Sequence, residues 1–184
     1  MLQRFLLGKK YEHTDSAIQG EALAEALGFK KPPVNVEQVA KRLGLKVVRV
    51  DLGDDISGLL ISKGDSTTIA VQESDPPKRQ RFTIAQEIAH FHLRHQFEPG
   101  EHVHVDRGHL VTPRNSRSST GVDAKEIEAN QFAACLLMPS NLLRSRIKAL
   151  KVKSLCDDHV TKLAVEFNVS EQAMAIRLST LGLL

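Results

Sequence analysis

The sequence predicts an α+β fold, and three observations carry that prediction. Apolar residues recur at helical spacing over residues 16–28, 35–44, 78–95, 123–138 and again through the C-terminal region. Between the second and third of these patterns lie three short strand-like runs, 45–52, 57–62 and 67–72, parted by Gly/Asp turns. The 184 residues, 41% hydrophobic and 26% charged, suit one soluble globular domain with room for a small appendage.

The elements follow in order. SAIQGEALAEALG (16–28) is a helix that stops at Gly28, and Pro32-Pro33 break the chain after it. Asn35 is placed to cap a second helix, with Val36, Val39, Ala40 and Leu43 on one face and Gly44 as its stop. The three strand runs then predict a small twisted sheet built as a meander. Ser74-Asp75-Pro76-Pro77 is a loop leading into the helix at 78–95. Phe82, Ala85 and Ala89 form one apolar stripe of that helix, and Ile84 and Ile88 a neighbouring one. Residues 96–122 are polar and broken, the pattern of a functional loop or short hairpin, in which HVHV (102–105) puts His102 and His104 on one face. The helix at 123–138 is expected to pack Ile127, Ala134 and Leu136 to Met138 inward, with Pro139 closing it. Ser140 or Asn141 is expected to cap a further helix to about Leu150. The last segment reads as helix, turn at Asn168-Val169-Ser170, helix, the pattern of a helix-turn-helix. The predicted organisation is a main domain over 1–150 and a helix-turn-helix-like segment over 151–184 packed on it.

Composition narrows the function classes. A net charge of +3 permits contact with nucleic acid or an acidic partner without arguing for either. With no Trp and one Tyr, a base-stacking platform is not expected. The N-terminal apolar run is too short for a secretory signal, and no stretch is long enough to span a membrane. Cys135 and Cys156 lack the spacing of a disulfide framework or zinc knuckle. A cytoplasmic, reduced protein is the expectation.

The chemistry concentrates in Gln86-Glu87-Ile88-Ala89-His90, one residue away from the H-E-x-x-H helix of zinc peptidases. In that motif two histidines one turn apart bind the metal, and the glutamate is the general base. Gln86 and His90 share a face here, with Glu87 at its edge. On these five letters alone, with one ligand position unfilled, an ordinary amphipathic helix with Glu and His on its wet side is the favoured reading. A gluzincin-type site also needs a glutamate from a later helix, and 123–138 offers Glu126 and Glu128, about 200° apart at ~100° per residue. Glu126 is favoured because Asn130 lies one turn below it, where it can hydrogen-bond a ligand and hold its orientation.

RFTIAxEIAHFHLRH, the later RNSRSSTGVDAKEIEANQFAACLLMP and the terminal LAVEFNVSEQAMAIRLSTLGL together resemble the ImmA/IrrE family of bacterial and phage metallopeptidases. PPVNVEQVAKRLGLKV resembles the family's opening helix and first strand, so the resemblance runs over most of the chain. It implies a zincin-like fold whose C-terminal helix-turn-helix-like region belongs to the architecture. It implies a zinc cofactor and, as partner, an Xre-type helix-turn-helix repressor or antitoxin that is cut or otherwise removed. Carried over residue by residue, His90 is a zinc ligand, Glu87 the general base and Glu126 the third ligand, while the family's first histidine falls on Gln86. An amide oxygen in that place predicts weak or absent zinc, unless His92, His95, His102, His104 or His109 steps in. His92, two residues from His90, lies on the opposite side of the helix. A pseudo-peptidase that controls the repressor by binding alone is the alternative reading. DNA binding is not expected, since Arg177 is the one basic residue after Ser170. Lys78, Arg79 and Arg81 read as a solvated basic patch at the helix start, or a contact for an acidic partner.

Overall fold

The strand-forming runs condense into one mixed sheet that backs the helix carrying residues 86–90. A computed structural model describes residues 15–64, 66–95, 103–106 and 120–184. The fold class is α+β, in the order α1 (Asp15–Ala26), α2 (Val36–Arg42), β1 (Leu45–Val50), β2 (Gly58–Lys63), β3 (Ser66–Gln72), α3 (Pro77–His92), β4 (Val103–Asp106), α4 (Thr120–Leu137), α5 (Ser140–Leu150), α6 (Asp157–Phe167) and α7 (Glu171–Thr180). Asn35 caps α2 as expected, its side chain accepting from Gln38 N at 3.0 Å.

The sheet departs from the expected meander. Its order is β1-β3-β2-β4, with β1 parallel to β3 and the other pairs antiparallel. Burial explains the order. Ile69, Ala70 and Val71 of β3 are buried in succession, on both faces, which only an interior strand can offer. Val48 and Val50 of β1 stay well exposed, as an edge allows. The β1–β2 connection is tied to the end of β3 by Gln72, whose Nε2 donates to Gly53 O at 2.7 Å. The three expected strands are joined by a fourth, β4, at the stretch where the sequence alternates.

One core runs through the helices: Ile84, Ile88, Phe132, Leu136, Leu143, Leu163, Phe167, Met174 and Leu178 are all buried in a single cluster. The two C-terminal helices therefore share it. Asn168 ends α6 in a left-handed conformation (φ 53°), and Ser170 Oγ caps α7 by accepting from Ala173 N at 3.1 Å. Three local expectations fail. Ile127 is 56% exposed, because the inward face of α4 is taken by Ala129, Phe132 and Ala133. Neither Ser140 nor Asn141 caps α5. Pro139 holds that position, and Ser140 Oγ donates instead to Glu21 Oε2 at 2.6 Å. Arg79 and Arg81 are not a solvated patch. Arg81 donates to Val34 O at 3.1 Å and Asn168 O at 3.2 Å, and Arg79 to Ser57 Oγ at 3.1 Å. Burial lowers the Arg81 pKa, and the two carbonyls anchor α3 to the segment before α2 and to the C-terminal turn.

α1 and α4 approach so closely that a side chain at Gly20 has no room. A Cβ there would stand 2.4 Å from Phe132 O, a backbone atom that cannot swing aside. Gly20→Ala is expected to cost about 2 kcal/mol through the forced shift of α1. Urea unfolding at unchanged m-value checks it, and a variant as stable as the parent would show that α1 moves freely on α4. Among the described residues no helix is long and apolar enough to cross a membrane.

Candidate active site

Helix α3 starts at a proline pair and runs between the sheet and α4, so its middle turns are enclosed on both sides. The polar residues of the motif are enclosed with it: Gln86, Glu87 and His90 are 3%, 0% and 1% exposed. That outcome rejects the plain amphipathic reading, in which Glu and His face water. Burying a carboxylate and an imidazole costs stability unless partners or a bound ion compensate.

Each side chain has identifiable neighbours. The backbone of Gly58, the first residue of β2, comes up against Glu87 and Thr83. A Cβ at Gly58 would stand 3.3 Å from Glu87 Oε1 and 2.3 Å from Thr83 Cγ2. A glycine at this place leaves room for Thr83 and lets the Glu87 carboxylate come close to β2. Gln86 Nε2 donates to Asn130 Oδ1 at 2.7 Å, which leaves the buried Gln86 Oε1 with no hydrogen-bond partner among the described residues. His90 Nε2 lies 3.4 Å from Glu126 Oε1. α4 thus presents Asn130 to Gln86 and Glu126 to His90, one turn apart.

The two candidate glutamates separate cleanly. Glu126 faces His90, whereas Glu128 pairs with His95, Oε2 to Nε2 at 3.0 Å. His95 in turn sets Nδ1 3.0 Å from His90 Nδ1. It therefore stands behind His90 and does not replace the missing ligand. His92 is likewise elsewhere, its ring 5.3 Å from that of Phe132, and burial lowers its pKa. The side chains of His102, His104 and His109 lie outside the described residues. Asn130 was expected to steady Glu126, but its contact is with Gln86. The His95–Glu128 pair escaped sequence reasoning because it depends on a left-handed turn at Arg94 (φ 54°), for which no residue type gives a signal there.

The donor set decides what ion would suit the site. Among the described residues no three His, Cys, Asp or Glu side chains gather to hold a metal. The site falls one histidine short, with Gln86 in its place. The unpartnered amide oxygen of Gln86, the His90 imidazole and the Glu126 carboxylate still make one nitrogen and two oxygen donors. Such a set fits a divalent cation, with a weaker hold on zinc than two imidazoles and a carboxylate would have.

None of the curated proteins matches the chain. Among solved structures, a Mycobacterium tuberculosis transcriptional regulator superposes with a TM-score of 0.62 at 20% identity, over 90% of this chain and 47% of that one. This chain thus spans about half the length of that regulator, and the likeness concerns the fold. The Peptidase_M78 family model, described as an IrrE N-terminal-like domain, matches residues 40–179. That span runs from β1 into the last turn of α7 and includes Gln86, Glu87, His90, Glu126 and Asn130. The chain belongs to the IrrE N-terminal-like family, and its α+β fold is that of a zincin-like domain of this family.

Proposed function

We propose that the protein is a metallopeptidase-type regulator that acts on an Xre-type helix-turn-helix repressor or antitoxin by zinc-dependent proteolysis. The observation that carries this reading is the complete burial of Glu87 and His90 on α3, with Glu126 of α4 3.4 Å from His90. His90, Glu126 and the Gln86 amide oxygen would hold the ion. When bound, a divalent metal supplies Lewis acidity toward water and a peptide carbonyl. Glu87 takes the proton from the attacking water and returns it to the departing amine, a role that suits a carboxylate shielded from bulk solvent. Asn130 holds the Gln86 amide in one orientation, so the oxygen end is the one available to a cation. Cleavage transfers a hydroxyl to the carbonyl carbon and a proton to the nitrogen.

Gln86 favours a second reading, a pseudo-peptidase that retains the fold and controls the repressor by binding alone. Co-expression with the repressor encoded beside the gene separates the two. Under the enzymatic reading, fragments accumulate with the parent protein and fall by at least about 100-fold with Glu87→Gln. An intact repressor co-purifying with both forms would instead establish the binding module.

A further inference from the structure

The geometry points to His95 and Glu128 as positioning residues that fix the tautomer of His90, leaving its Nε2 as the lone-pair nitrogen on the side of Glu126. The inference rests on the metal-site reading above, in which Nε2 must be free of a proton to ligate. It starts from two contacts. His95 Nε2 lies 3.0 Å from Glu128 Oε2, and His95 Nδ1 lies 3.0 Å from His90 Nδ1. An ionised carboxylate only accepts hydrogen bonds, so His95 Nε2 must carry the proton that Glu128 receives. In a neutral ring this leaves His95 Nδ1 as an acceptor. Two ring nitrogens 3.0 Å apart need one hydrogen between them, and that hydrogen must then sit on His90 Nδ1. His90 Nε2, on the opposite side of the ring, is thereby left with its lone pair. Metal-binding histidines commonly donate their other N–H to a carboxylate, which orients the ring and makes it more basic. Here the carboxylate acts through an intervening imidazole.

The fold delivers His95 to this place by a specific device. α3 ends at Leu93, Arg94 turns left-handed (φ 54°), Arg94 N donates to Phe91 O at 3.2 Å and His95 N to His90 O at 3.1 Å. This double closure folds the chain back over the last turn, so that residue 95 covers residue 90. The two rings meet edge to face, 5.0 Å between centroids at 71°. The His95 side chain is 6% exposed and that of Glu128 52%, so the relay runs from the protein surface to the buried ligand.

Nitrogen-15 NMR of the metal-free chain tests it directly, through the distinct shifts of protonated and unprotonated ring nitrogens. His90 is expected as the Nδ1–H tautomer and His95 as Nε2–H. Glu128→Ala is expected to scramble both, Glu128→Gln to retain them through its amide oxygen, and cobalt(II) titration to show about 10–100-fold weaker binding for Glu128→Ala than for Glu128→Gln. Because Glu128 is half exposed, these variants should fold as the parent does. A His90 protonated at Nε2 alone, or tautomers indifferent to Glu128→Ala, would overturn the inference. Failure of the unaltered chain to bind cobalt would count against the metal reading alone, since the tautomers are read without metal.

Discussion

Gln86→His is expected to convert the protein from one that loses zinc on dialysis to one that keeps about one zinc per chain. The present set offers one imidazole, one carboxylate and one neutral amide oxygen, and zinc prefers nitrogen to an amide oxygen. Loss of a group that merely orients a ligand costs about 10–100-fold in affinity, so restoring a directly ligating imidazole should gain at least that. The surroundings are ready for the exchange. Asn130 Oδ1 now accepts from the Gln86 amide at 2.7 Å and can accept equally from the N–H of a histidine ring. Residue 86 is 3% exposed, so the new ring would displace little water. Metal analysis of both proteins after dialysis against a weak chelator gives the answer. Stoichiometric zinc in the unaltered protein would refute the idea that Gln86 weakens the site. Repressor cleavage should rise in parallel if hydrolysis is limited by metal occupancy. If occupancy rises while cleavage stays absent, the protein regulates by binding.

How much of this could be read from the sequence differs sharply between the parts. The helices and three of the four strands followed from periodicity, since each rests on local apolar spacing and a visible stop such as Gly28 or Gly44. Strand order did not follow, because the position of β3 between β1 and β2 depends on burial of Ile69 to Val71 from both sides. Glu87, His90 and Glu126 follow from motif and spacing; His90 and Glu126 meet across the α3–α4 boundary, while the Glu87 carboxylate lies against Gly58 of β2. The role of Asn130 came out differently. Its spacing to Glu126 was visible, but its bond to Gln86 reflects how α3 and α4 cross, which no single helix encodes. His95 is the extreme case, placed by a backbone turn at an arginine. Arg177 shows the same limit from another side: the sequence marks it only as the one basic residue after Ser170, and the fold buries it in an ion pair with the part-buried Glu21.

That ion pair carries the largest expected effect on stability. Arg177 is 4% exposed, donates to Met138 O at 3.1 Å and pairs with Glu21 of α1, whose other oxygen accepts from Ser140. One guanidinium thus joins α7, α1 and the end of α4, three segments far apart in sequence. Its planar fork suits it to serve a carboxylate and a carbonyl together. Arg177→Met keeps most of the side-chain volume but strands a part-buried carboxylate and a buried carbonyl. The expected loss is about 3 kcal/mol, the low end for breaking a buried pair because Glu21 retains some contact with water. Replacing both partners, as Arg177→Met with Glu21→Leu, should recover more than half of that loss, because no uncompensated charge then remains. Urea unfolding of the three proteins provides the comparison. A single variant within about 0.5 kcal/mol of the parent would mean the pair is no more than a surface contact. A double variant no better than the single one would assign the loss to the Met138 carbonyl. None of the hydrogen bonds described for Glu21 and Arg177 involves α3. Cobalt(II) affinity per folded chain should therefore be the same in all three proteins, which separates loss of fold from loss of site.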